Sequence, residues 1–344
     1  MPNARASHLT RRGLLTAGGA LGLGVALAAC GQEKKDGTKD AAGKSAAESG
    51  PWSFKDDRGK TAEAKSTPKN IVAFTGAAAA LYDYGIEVTG VFGPTKTADG
   101  KADVQAGDMD VTKPEILGNV WGEFNVEKYA ALAPELLVTD MWEKDALWYV
   151  PDQSKDKILG LAPSVALWAA RINMPGALQR RADLAGSLGA DLKAKKVTDA
   201  KARFEKAAER LRRAAKSKPD VKVLIGSGSQ DLFYVSVPKT SADTLYFQEL
   251  GVKFVEPQAN AQGFFEELSW ENAGKYDADV IMLDNRTGTL QPDTLKAKPT
   301  WAGLPAVKAG QVVPRVTEPI YSYDKCAPIL EDLAEAIENA KKVS

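Results

Sequence analysis

Histidine is almost missing from this chain. Among 344 residues there is one, His8, and it lies in an N-terminal stretch that reads as a targeting segment. A body without histidine holds no Ser-His-Asp or Cys-His catalytic arrangement. The usual zinc sites also lose their commonest nitrogen ligand. Cysteine is nearly as scarce, with only Cys30 and Cys326. Cys30 closes the targeting segment, so no intrachain disulfide is expected, and Cys326 reads as a small packed residue. An excess of one charge is missing too, since 45 Lys and Arg stand against 45 Asp and Glu. Without a basic stripe, nucleic acid is a poor partner. Paired carboxylates can still do acid–base work, but no spacing here points to it, and no catalytic residue is assigned.

The uncharged run from Gly13 to Ala29 follows the pair Arg11-Arg12 and ends in Leu27-Ala28-Ala29-Cys30. It is shorter than the ~20 residues of a membrane-spanning helix. It resembles a bacterial lipoprotein signal of the twin-arginine type, spanning residues 1–29. That resemblance implies cleavage before Cys30 and lipidation of its thiol. The cleaved piece carries Arg5, Arg11 and Arg12 and no acid, which leaves a slightly acidic body. Residues 30–66 are small and polar. Such composition buries too little apolar surface to order itself and reads as a flexible tether.

What is present is a segment written twice. Glu127 to Asp140 aligns without a gap on Glu271 to Asp284. Each copy opens with Glu, runs through a helix-length stretch and reaches an acid, Glu135 or Asp279. Each then enters an apolar run, Leu136 to Val138 or Val280 to Leu283, and stops at Asp. Asn125 and Ser269 stand where a helix cap accepts bonds from first-turn N–H groups, and the Glu suits the positive end of the helix. The recurrence indicates two related lobes, each with a helix feeding a buried parallel strand.

Strand-like runs at Asn70 to Phe74, Val88 to Phe92, Leu136 to Thr139 and Ser164 to Leu167 alternate with helical stretches such as Ala77 to Gly85. That alternation implies a parallel sheet covered on both faces. The pattern restarts at Val221 to Ile225, with a turn at Gly226 to Ser229, a β run at Phe233 to Val237 and a helix at Ala242 to Leu250. Between the two sets, apolar Val197, Ala200, Phe204, Ala207, Leu211 and Ala214 recur in steps of three and four. They make one stripe of a helix of roughly 40 Å, placed as a strut. A closing helix at Pro328 to Lys342 turns Ile329, Leu333, Ala336 and Ile337 to one side. The expected fold is α/β, with two Rossmann-like lobes and mainly parallel central sheets. The lobes span residues 67–189 and 218–344, are joined by one long α-helix over 190–217, and leave a ligand cleft between them.

Phe124 to Val138, Leu268 to Asn272 and Trp301 to Val312, in that order and spacing, resemble the substrate-binding proteins of ABC importers for ferric siderophores and vitamin B12. The resemblance covers nearly the whole body. It implies a binding protein rather than an enzyme, a monomer lipid-anchored on the outer face of the cell membrane. It would capture a ferric siderophore and deliver it to a permease dimer. No cofactor and no protein metal ligand is implied, because the siderophore itself wraps the iron, and the missing histidines disfavour direct zinc or manganese binding. Glu127 and Glu271 stand where the family docks on permease arginines, and two distant charge pairs would orient the complex.

Ligand groups belong past the carboxyl ends of the strands. That rule selects Trp121, Trp142, Trp148, Tyr149, Trp168 and Arg171 in the first lobe. In the second it selects Phe233, Tyr234, Phe265, Arg286, Tyr321 and Tyr323. Trp121 and Trp142 also match cleft positions of the family. Rings gathered at strand ends suit a wide apolar cleft. Arg171 and Arg286 suit either hydroxamate or carboxylate oxygens of a ligand or a surface ion pair. A hydroxamate siderophore is the expected ligand. A corrinoid or haem is the runner-up, haem needing an axial Tyr234 or Tyr321. A hydrolase would need two acids converging in the cleft with raised pKa values. The long helix implies small lobe motion on binding.

Overall fold

The computed structural model describes residues 50–344. The signal segment and Cys30 lie outside the described residues. Among the described residues no helix is long and apolar enough to cross a membrane.

The tether does not reach residue 66. Strands β1 (Trp52–Lys55) and β2 (Thr61–Ala64) form an antiparallel hairpin, with Trp52 and Phe54 buried. The hairpin covers the first lobe's edge. Asp56 accepts from Ala166 N at 3.1 Å and Asp57 from Trp168 N at 2.9 Å. Those N–H groups lie on a strand edge that would otherwise stand open to pairing with another chain.

The first lobe holds strands β3 (Ile71–Phe74), β4 (Gly90–Phe92), β5 (Glu115–Ile116), β6 (Leu136–Met141) and β7 (Ser164–Trp168). They lie in the order β5-β4-β3-β6-β7, all parallel. β3 and β6 are buried along their whole length, as the continuous apolar runs require. Helices α1 (Thr75–Asp83), α2 (Val126–Ala131), α3 (Lys155–Leu159) and α4 (Met174–Ser187) complete the lobe. Asn125 caps α2 by accepting from Lys128 N at 2.8 Å.

Next comes the strut, α5 (Lys195–Ser217), whose 23 residues span about 35 Å. The second lobe begins with β8 (Lys222–Gly228), β9 (Leu232–Ser236), α6 (Ala242–Glu249), β10 (Lys253–Phe254), β11 (Phe265–Ser269) and β12 (Val280–Asp284). It continues with short helices α7 (Pro292–Leu295), α8 (Pro299–Gly303) and α9 (Pro305–Lys308), then β13 (Val312–Arg315) and α10 (Tyr323–Asn339). Its sheet is mixed. β10, β12 and β13 run parallel to β8, whereas β8-β9 and β9-β11 are antiparallel. The expected turn at Gly226 is strand instead. A Cβ on Gly226 would meet the Phe233 ring at 2.6 Å, so this glycine lets a ring lie flat on the backbone.

The duplication is visible as matched bonds. Glu135 N donates to Asn70 O at 2.8 Å, and Asp279 N donates to Lys222 O at 2.9 Å. The Glu135 carboxylate accepts from Lys69 N and Asn70 N, and that of Asp279 accepts from Lys222 N. The copies differ before that point. The second helix is only a 3-10 turn, Trp270–Asn272, without a cap bond from Ser269.

The strut is a pair of helices. α10 lies along α5 in parallel, with bidentate Arg203–Glu331 and Arg210–Glu338 rungs seven residues apart on each helix. Such half-exposed pairs add little stability, but their forked geometry fixes the register. One apolar core runs from Trp52 through the first lobe, α5 and α10 to Val223, Ile225, Val280 and Met282 of the second sheet. Leu224, Ile281 and Leu283 point to a separate core on its other face, the two-residue alternation of a strand.

Candidate functional site

A cavity of about 760 Å³ opens between the lobes, beyond the carboxyl ends of β6, β8, β12 and β13. One wall belongs to the first lobe and is aromatic. Trp121 sits on a loop pinned by Asn119, whose side chain accepts from Thr95 N and Lys96 N and donates to Lys96 O at 2.6 Å. Trp142, Trp148 and Tyr149 follow β6. Trp148 is held by its N–H to Asp140 O at 3.0 Å and by Thr139 Oγ1 on its carbonyl at 2.7 Å. The rings meet edge to face: Trp121–Trp148 at 4.8 Å and Trp121–Tyr149 at 5.0 Å. Trp121 is 62% exposed, a large indole surface open to a guest.

Tyr149 has φ of 59°, a backbone conformation costly for a bulky residue. Stacking on Phe74 at 5.3 Å holds it there. Burial, then the nearby Glu318, pushes its phenol up to about 12, so it stays a hydrogen-bond donor at neutral pH.

The second lobe supplies hydroxyls and paired charges. Ser227, Ser229, Ser236, Thr240 and Thr317 line the cavity with Tyr234, Phe264 and Phe265. Phe264 faces Trp142 across the gap at 6.5 Å. Arg286 Nη2 lies 2.8 Å from Asp284, and its Nη1 bonds Glu318. Burial works against its charge, but Glu318 and Asp284 outweigh that and hold the guanidinium protonated above its ordinary value. Arg315 is gripped bidentately by Asp243, both bonds at 3.1 Å and both residues buried. The two carboxylates that close the repeat thus each hold an arginine, since Asp140 lies 2.6 Å from Arg181. Their balance differs. Burial raises Asp140 despite Arg181, whereas at Asp284 Arg286 overcomes burial and lowers it.

Seven of the twelve expected cleft residues line the cavity: Trp121, Trp142, Trp148, Tyr149, Tyr234, Phe265 and Arg286. Five do not. Phe233 points the other way from Tyr234 and packs on Trp270 at 5.5 Å. Trp168 is half-buried on edge strand β7. Arg171 is exposed at the crossover, its N–H donating to Thr240 O at 3.3 Å. Tyr321 is buried under Arg181, 4.5 Å away, and donates to Ala169 O at 2.9 Å, so its oxygen is engaged away from the cleft. Tyr323 opens α10 and packs on Phe204 at 5.7 Å. Residues the sequence reading missed are Phe264, Arg315, Thr317, Glu318 and the serine row. Arg315 and Glu318 lie at and just past the end of β13, where the strand-end rule applied a third time would have found them.

Glu127 and Glu271 are both exposed, on the first turns of α2 and of the 3-10 turn. Among the described residues, Asp83, Asp108 and Asp324 come close enough to share a cation. Lys325 supplies that positive charge, 2.6 Å from Asp108 and 3.1 Å from Asp324.

The family model of periplasmic binding proteins matches residues 71–314. Among solved structures, DesE, a ferric-siderophore receptor protein from Streptomyces coelicolor, is 61% identical, with a TM-score of 0.83, over 85% of this chain and 100% of that one. The siderophore periplasmic binding protein from the fuscachelin gene cluster of Thermobifida fusca shares the fold at 23% identity and a TM-score of 0.56, over 79% and 96%. The Fe(3+)-citrate-binding protein YfmC of Bacillus subtilis (strain 168) is 23% identical over 258 residues, 75% of this chain and 76% of that one.

Proposed function

The chain belongs to the periplasmic binding protein family, and on that premise we propose that it captures a ferric siderophore of the hydroxamate type and hands it to an ABC permease. The observation that carries this reading is the ring-walled cavity of about 760 Å³ between two lobes, in a chain 61% identical to a ferric-siderophore receptor protein. A volume of that order fits a chelate rather than a bare ion. Flat indole faces suit a wrapped, weakly charged complex, and the hydroxyl row suits its outward oxygens. The siderophore carries the iron, so the protein supplies shape and hydrogen bonds. Tethering through a lipid on Cys30 would keep this monomer at the outer membrane face. Exposed Glu127 and Glu271, one per lobe, would meet permease arginines.

The test is quenching of tryptophan fluorescence by a panel of ferric hydroxamates, ferric catecholates, haem and cobalamin. Saturable quenching by ferric hydroxamates at submicromolar concentration is expected. Quenching by haem or cobalamin alone would overturn the reading. Tyr234 would then be the axial ligand to examine, because Tyr321 is engaged elsewhere.

A further inference from the structure

Glu318 is where the two walls of the cleft meet. It is 7% exposed. Its carboxylate accepts from Gln105 Nε2 at 2.7 Å and from Trp148 Nε1 at 3.1 Å, both in the first lobe. It also accepts from Arg286 in its own lobe. Arg286 is held from its other side by Asp284, and Arg315 is held by Asp243. Two guanidiniums are therefore matched by three carboxylates, of which Glu318 lines the cleft with both arginines while Asp243 and Asp284 lie buried behind them. Neither arginine is a free cation waiting for an anionic guest. Glu143 and Asp152 on the lining add charge of the same sign.

We infer that Glu318 sets the charge preference of the cleft, favouring ferric complexes with a neutral or positive periphery over those with an anionic one. The inference rests on the reading that the cleft holds a ferric chelate. Without Glu318, Arg286 and Arg315 would be matched one for one by Asp284 and Asp243, so Glu318 is the member that tips the balance. One such charge roughly 10 Å from a charged ligand tail, at an effective dielectric of about 20 to 40, changes affinity roughly fourfold to sixteenfold. Glu318 also fixes the edge of the Trp148 indole. A purely mechanical role of that kind would weaken every ligand alike.

The substitution that isolates the charge is Glu318→Gln. With its carbonyl oxygen toward Gln105 Nε2 and Trp148 Nε1 the new side chain keeps both bonds from the first lobe and gives up only the one from Arg286, which stays on Asp284. The probes are three ferric trihydroxamates with one iron core and different tails: a free amine, its acetyl amide and its succinyl amide. Their charges are positive, neutral and negative. Affinities come from tryptophan quenching, and folding from a cooperative thermal melt.

In the wild type the succinyl form should bind at least about fourfold more weakly than the other two. In E318Q that gap should close to about twofold. Arg286→Gln shifts the balance the other way and should widen the gap, and this arm decides if E318Q does not melt cooperatively. An unchanged ratio in E318Q, a narrowed ratio in R286Q, or a ratio that collapses only in Glu143→Gln or Asp152→Asn overturns the inference. Equal wild-type affinity for all three tails overturns it while leaving the ligand class standing. No quenching by any of the three removes the ligand class, and the inference with it.

Discussion

In the first lobe the cleft is walled by rings, and in the second by hydroxyls and paired charges. Both lobes carry the same repeated segment, and both end it in an aspartate that holds an arginine. The divergence comes from the connections leaving the central strands. In the first lobe every strand runs parallel, so the chain leaves β6 into a loop long enough to stack Trp142, Trp148 and Tyr149. In the second, β8 turns straight back into antiparallel β9. The row Ser227, Ser229 and Ser236 is carried on and beside that hairpin, while Tyr234 is the ring it turns to the cleft. The gripping wall thus follows a strand of an all-parallel sheet, and the orienting wall follows the one strand that runs back beside β8.

The largest expected effect tests the orienting wall. Asp243→Ala strands the Arg315 guanidinium in a site where both partners are buried. It should cost about 3–5 kcal/mol of stability in denaturant unfolding. A loss under about 1 kcal/mol would show that the second wall is not built around that pair. Next comes the gripping wall. Trp121→Ala with Trp142→Ala should weaken a proven ligand by about 10- to 100-fold, and Tyr234→Ala by less than about tenfold. Calorimetric titration gives both numbers, and the reverse order would break the division of labour between the lobes.

A smaller effect compares the matched acids Glu135 and Asp279. Backbone N–H bonds lower Glu135. At Asp279 burial opposes the charge, but Lys222, Val343, Lys342 and Ser344 outweigh it and hold the carboxyl far below its ordinary 3.8. A depressed carboxyl stabilises the fold above its unfolded pKa, and that contribution drains as pH falls through the folded one. Asp279→Asn should therefore cost about 1–3 kcal/mol at neutral pH and flatten the acid limb of a melt series from about pH 5 to about pH 2. Exposed Glu135→Gln should change either little. A steep acid limb retained in the Asp279 variant would assign the acid sensitivity elsewhere. The smallest effect on binding is expected from Glu127→Lys with Glu271→Lys. Ligand affinity should stay within about twofold, because the sites are exposed and outside the cavity lining, while cellular uptake stops. Normal uptake would remove docking from these residues.

Much of this was legible in the chain. Apolar runs mark β3, β6, β8 and β12 because parallel strands bury both faces, and the stripe on α5 picks out buried Phe204, Ala207, Leu211 and Ala214, while its Val197 and Ala200 are only half-buried and buried Ala208 and Ala215 lie beside it. The hairpin at Trp52–Ala64 was hidden by its setting. Its alternation of Trp52 and Phe54 is only two positions long and follows a polar stretch. Phe233 and Tyr234 were separable in principle, since neighbours on a strand face opposite ways, and taking both for the cleft ignored that period. Tyr321 and Tyr323 were not separable. Their burial depends on Arg181 and Phe204, more than a hundred residues upstream, and no local pattern encodes that meeting. Glu318 lies within reach of the strand-end rule, but its bonding does not: its donors come from Gln105, Trp148 and Arg286.

The closing helix has one more consequence, for how the molecule is made. Residues 323–339 complete the core that begins at Trp52. Until α10 has left the ribosome, the first half waits with its apolar seam open. Domains that fold as units can mature during synthesis, but here the earliest residues depend on the latest. A stop codon just before Tyr323 should leave that seam uncovered and the chain sensitive to proteolysis.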